Sequence, residues 1–87
     1  MKLSNIYYHP QFKKSFLSLP KDIQEKAKER IKIFKEKPFY PPLGAHKLHG
    51  KLKEQWSFLI KRQYRIIFIF ENSDAIFLDV GTHSIYK

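Results

Sequence analysis

The spacing of the apolar residues changes halfway along the chain, and that change constrains the fold more than any other feature. Ile23, Ala27, Ile31 and Phe34 recur at intervals of four, four and three, which lines one side of a helix and leaves the other side to Lys, Glu and Arg. Beyond Pro41-Pro42 the interval falls to two. Trp56, Phe58 and Ile60 alternate with polar neighbours, as a strand with one wet face does. An apolar helix stripe and a half-apolar sheet each need a surface to bury against, and in a chain of 87 residues each is the other's only large one. The expectation is a single domain over 1–87, because nothing here is long enough to divide.

The punctuation sets the element order. Leu3, Ile6 and Tyr7 open the chain as a short strand. Pro10 suits the first turn of a helix, where its missing N–H is no loss, and Phe12, Phe16 and Leu17 give that helix an apolar side. Leu19-Pro20 stops it, a second helix starts at Lys21-Asp22, and Pro38 ends that one. Arg62-Gln63 reads as a hairpin tip. Tyr64 to Phe70 is almost all β-branched or aromatic and reads as a central strand buried on both faces. Asn72-Ser73-Asp74 is a turn, and Ala75 to Val80 returns as the last strand before Gly81. The fold class is therefore α+β: a small antiparallel sheet of about four to five strands with two N-terminal helices on one face. The helix stripe is expected to pack on Ile67, Ile69 and Phe77.

Charge narrows the function. Seventeen Lys and Arg stand against eight Asp and Glu, a net charge of +9, and residues 43–65 hold six basic groups against one acidic. Such an excess costs stability through self-repulsion, so it points to a polyanion or an acidic protein partner. The absence of cysteine excludes a disulfide scaffold, a thiolate metal site and a Cys nucleophile. Three glycines, at 44, 50 and 81, cannot spell a phosphate-binding loop. No apolar run approaches the ~20 residues of a membrane span, and the N-terminus lacks the apolar core of a signal peptide. The expected setting is the reducing cytoplasm, away from any membrane.

Few residues are suited to chemistry. Glu25 and Glu29 lie among lysines on the wet side of a helix and read as surface ion pairs. His46 and His49 form H-x-x-H without an evident third ligand, so no metal is expected. Beside Lys47, Lys51 and Lys53, these histidines suit proton transfer on a phosphodiester held by the lysines, or else simply mark a basic surface strand. Arg65 opens the most apolar strand. Either it makes a structural salt bridge to Glu71 or Asp79, or its guanidinium fork meets a phosphate. If the hairpin is in register about Asn72–Asp74, Arg65 and His83 lie towards one end of the sheet.

The motifs Leu48-His49-Gly50, Trp56, Tyr64-Arg65-Ile66-Ile67-Phe68, Gly81-Thr82-His83 and Tyr86, in that order, resemble the RelE/ParE superfamily of toxins from toxin–antitoxin systems. The pattern comes closest to the YoeB/YafQ-like ribonuclease branch. The resemblance covers essentially the whole chain and implies a RelE-like fold. It further implies a ribosome-dependent, metal-independent endoribonuclease that cleaves mRNA through the RNA's own 2′-hydroxyl. In that scheme Arg65 braces the scissile phosphate, His83 is the general acid, His46 the general base, and Tyr86 packs on or near a flipped base. Lys47, His49, Lys51, Lys53 and Arg62 would hold RNA, and a cognate antitoxin with an acidic or amphipathic segment would mask this surface. Two rival readings remain: a ParE-like toxin that poisons DNA gyrase, and a basic RNA-binding module without chemistry.

Overall fold

The computed structural model describes residues 2–49, 54–82 and 85. In chain order these form β1 (Asn5–Tyr8), α1 (Pro10–Leu17), α2 (Lys21–Glu36), a 3-10 turn at Pro41–Leu43, β2 (His46–Lys47), β3 (Trp56–Lys61), β4 (Tyr64–Glu71) and β5 (Asp74–Gly81). The strands make one sheet in the order β1-β5-β4-β3-β2, with β4 at its centre. The expected α+β class, with two helices preceding the main sheet, is what forms.

Local chemistry accounts for the boundaries. The Gln11 N–H donates to Nδ1 of His9 at 3.0 Å, so a histidine caps α1 and Pro10 fills its first position. The N–H groups of Ser18 and Leu19 turn back onto the carbonyls of Ser15 and Phe16, and α2 starts directly after Pro20. Its last bond runs from the Lys37 N–H to the Ile33 carbonyl, and Pro38 follows. Both hairpin tips use left-handed backbone, at Arg62 (φ 55°) and Asn72 (φ 58°). Asn tolerates that conformation; for Arg it costs about 1–2 kcal/mol.

Antiparallel pairing holds from β2 to β5, but β1 lies parallel to β5, with Asn5 opposite Asp74 and Tyr8 opposite Phe77. The sheet is therefore mixed, which departs from the all-antiparallel expectation. Alternation of side chains is the same in either direction, so apolar spacing carries no information on strand sense.

The core lies between the helices and one sheet face. Phe12, Leu19, Ile23, Ala27 and Phe34 pack against Phe58, Ile60, Ile66, Phe68, Ala75, Phe77 and Val80. Phe34 is its hub, stacked on Phe58 at 4.6 Å and edge-on to Phe68 at 4.8 Å between ring centroids. Ile31 is only half-buried at the margin of the stripe. One expectation is corrected: Ile67 and Ile69 alternate with the core-facing Ile66 and Phe68, and so belong to the opposite face of the sheet. The Arg62–Gln63 tip sets the register, and a one-residue shift exchanges the two faces of a strand.

Candidate active site

Two of the predicted residues, His46 and Arg65, share the sheet face turned away from the helices. Residues paired across antiparallel strands share a face. His46 pairs with Ser57, Ser57 with Ile67 and Ile67 with Asp79, which makes one row. The next row is Leu59, Arg65 and Gly81. His46 and Arg65 thus share the face opposite the core, two strands apart and offset by one pleat repeat. That is roughly 12 Å between their Cα atoms at ordinary strand spacing and rise. Ser57 and Ile67, in the middle of the first row, are buried.

Arg65 is half-buried and, among the described residues, its side chain makes no hydrogen bond or ion pair. Neither carboxylate weighed as its structural partner is engaged with it. Glu71 lies at the far end of β4 opposite Asp74, and the Asp79 carboxylate accepts the Val80 N–H at 2.8 Å. A guanidinium held this way keeps its whole donor fork for a ligand, and an anion with two oxygens in one plane matches it best.

His46 is exposed, and its Nδ1 lies 3.0 Å from the Gly44 carbonyl oxygen. A carbonyl can only accept, so Nδ1 is the donor in this contact, and of the two neutral tautomers it is the one with a bare Nε2 that makes it. Gly44 reaches this position through a left-handed backbone (φ 60°) that closes the 3-10 turn. The local chain thus orients the ring and selects the tautomer a general base requires.

The remaining predicted residues are dispersed. Lys47 pairs with Trp56 on the core side of the sheet and approaches Glu54 at 3.7 Å, so it does not join His46 on one face. His49 is exposed just past β2, and Arg62 is exposed at the β3–β4 tip. Lys51, Lys53, His83 and Tyr86 lie outside the described residues. Among the described residues, no cluster of three or more His, Cys, Asp or Glu could hold a metal ion.

One feature of this end of the molecule escaped the sequence reading. A cleft of about 520 Å³ runs between α1 and the end of β5, lined by Lys14, Ser15, Ser18, Tyr64, Gly81 and Thr82 among others. It adjoins the Arg65–Gly81 pair. Lys14, Ser15 and Ser18 recur at helical spacing, but in a short helix such a polar side is indistinguishable from a solvated one.

A family model described as the ParE-like toxin domain matches residues 21–87, which include α2 and every strand but β1. No curated protein sequence matches the chain. Among solved structures, YafQ from E. coli strain BL21(DE3) superposes with a TM-score of 0.77 at 20% identity, over 93% of this chain and 94% of that one. A YoeB/ParE toxin from Agrobacterium tumefaciens gives 0.74 at 17%, over 95% and 99%. The archaeal RelE–RelB complex from Pyrococcus horikoshii gives 0.73 at 21%, over 94% and 96%. At these identities the structural likeness is one of fold.

Proposed function

The chain belongs to the ParE-like toxin family and is a toxin of the toxin–antitoxin systems of the RelE/ParE superfamily, and on that premise we propose that it is an endoribonuclease that cleaves mRNA on the ribosome. The observation that carries this reading is that Arg65, whose guanidinium has no partner among the described residues, shares a sheet face with His46, whose Nδ1 is held by the Gly44 carbonyl. Their separation leaves room for a ribose and its phosphate between them.

In the proposed reaction, His46 Nε2 takes the proton from the 2′-hydroxyl as that oxygen attacks phosphorus. The bond to the 5′-oxygen breaks, and His83 donates the proton that the leaving oxygen needs. The products are a 2′,3′-cyclic phosphate and a free 5′-hydroxyl. No metal takes part. Arg65 meets the charge that develops on the phosphoryl oxygens, where a preorganised donor has its greatest effect. His83 follows two residues after Gly81, the residue paired with Arg65, which suits the acid role. Tyr86 packs on or near a flipped base. Lys47, His49, Lys51, Lys53 and Arg62 supply backbone attraction around the site, from more than one face.

The partner that restrains such a surface is a cognate antitoxin, a reading supported by the toxin–antitoxin complex among the structural neighbours. The place of action is the cytoplasm, where ribosomes are; no described helix is long and apolar enough to cross a membrane. The match to a ParE-like toxin domain keeps a second reading, the ParE-like toxin that poisons DNA gyrase. Incubation with translating ribosomes, and separately with gyrase and relaxed plasmid, decides between them. Message cut to 2′,3′-cyclic phosphate ends supports the ribonuclease. Intact message with blocked supercoiling supports the gyrase toxin.

A further inference from the structure

We propose that Phe39 and Tyr40, with Trp56 and Phe70 behind Phe39, form a second RNA-binding surface that stacks unpaired bases. This surface lies on the core side of the sheet beside the β2–β3 edge, away from the His46–Arg65 face. Phe39 is 52% exposed and Tyr40 42%, large values for aromatic side chains in so small a domain. Phe39 packs against Trp56 and Phe70, each at 5.7 Å between ring centroids, and Trp56 meets Phe70 edge-on at 5.3 Å. The outer ring of this cluster therefore leans on a rigid aromatic wall.

The backbone beneath is fixed as well. Pro38, Pro41 and Pro42 surround the two rings, the Tyr40 N–H bonds the Lys37 carbonyl at 3.0 Å, and Arg30 donates to the Pro42 carbonyl at 3.2 Å. Exposed rings on a stiff support have little freedom left to lose when they bind, which favours stacking on a ligand.

Charge selects the occupant. Hollows of about 320 and 340 Å³ flank Tyr40, and Lys37 lines both, with Lys32 in the second. Neither lysine has an ion-pair partner among the described residues, while the nearby Glu36 is engaged by Lys2 at 3.6 Å. Flat apolar rings beside two lysines that no described carboxylate pairs match a single nucleic-acid strand, whose bases stack and whose phosphates meet the lysines. The inference rests on the ribonuclease reading only in taking RNA as the ligand.

The test reads binding without cleavage. The probe is a labelled 2′-O-methyl oligoadenylate of about eight nucleotides, within the usual span of one binding domain. Its missing 2′-hydroxyl keeps it intact. Trp56 is the only tryptophan and its ring stands behind Phe39, so its emission reports on this surface. Binding should quench it, and anisotropy should show affinity falling roughly 5- to 100-fold in Phe39→Ala and in Tyr40→Ala, with recovery in Phe39→Tyr. Both changes are at exposed rings, and unchanged circular dichroism verifies the fold. Anisotropy that rises without a quench, at equal affinity in parent and both alanine variants, overturns the proposal and leaves the ribonuclease reading standing. Quenching by an acidic apolar peptide but not by the RNA also overturns it, and assigns the surface to a protein.

Discussion

The Gly44 carbonyl oxygen lies 3.0 Å from Nδ1 of His46, and this one contact decides which ring nitrogen is free to accept a proton. A left-handed glycine at the end of a proline-rich turn thereby orients the ring of a histidine on the neighbouring edge strand, to which the proposed reaction gives the role of base. His46→Ala should lower the single-turnover cleavage rate about 10²–10⁴-fold, the range for loss of a general base. Ribosome binding should stay near the parent value. A rate within a factor of about two of the parent would transfer the role to a lysine such as Lys47, Lys51 or Lys53.

Arg65→Ala should be at least as damaging as the loss of either histidine, because no described side chain stands ready to replace its charge. Arg65→Lys should recover only part of the rate, since an ammonium lacks the planar fork. Quench-flow on preformed ribosome complexes separates this from a binding defect. Full activity in an Arg65→Ala, His83→Ala double variant would end the ribonuclease assignment.

Phe34 fixes α2 to the sheet through four ring contacts, to Phe58, Phe68, Phe70 and Phe77. Phe34→Ala should cost about 3–5 kcal/mol. In a domain of this size that corresponds to a fall of about 12 °C or more in the thermal midpoint, to be read by circular dichroism. An unmoved midpoint would contradict the packing described above.

Arg62 holds left-handed backbone at the β3–β4 tip at a conformational cost that glycine does not bear. Arg62→Gly should raise stability by up to about 1 kcal/mol, measured by urea unfolding. If the side chain also contacts a phosphate, the salt dependence of RNA binding should become shallower by about one unit of slope.

Tyr8 is pushed above the usual phenol value of 10.0 by burial. The unfolded chain therefore ionises first, so the stability linked to this group is complete below pH 10.0 and declines above it, through the raised folded value. Tyr8→Phe should flatten the alkaline end of the unfolding midpoint plotted against pH. An identical alkaline decline in both proteins would remove Tyr8 as a contributor.

The sequence by itself determined the element order, the class and the pairing of hairpins, because those follow from local chemistry. Proline and turn residues end elements wherever they stand, and a stripe at intervals of three and four cannot sit still as a strand. Arg65 stood out for the same reason, as a lone cation opening an apolar strand. Which of two candidate carboxylates Arg65 would meet was not legible, and in the folded chain it meets neither: Asp79 is taken by its own neighbour's N–H and Glu71 lies at the other end of β4. The separation of His46 from Lys47 onto opposite faces, and the exchange of Ile67 and Ile69 for Ile66 and Phe68 in the core, depended on strand register. Only the tertiary structure decides that register, because a period of two looks the same from either face until a turn and its partner strand fix which residues stand opposite one another. The parallel edge at β1 and the rings gathered around Phe39 are of the same kind. Each depends on residues far apart in the chain, so their proximity is set by the packing of helices on sheet and leaves no mark in local spacing.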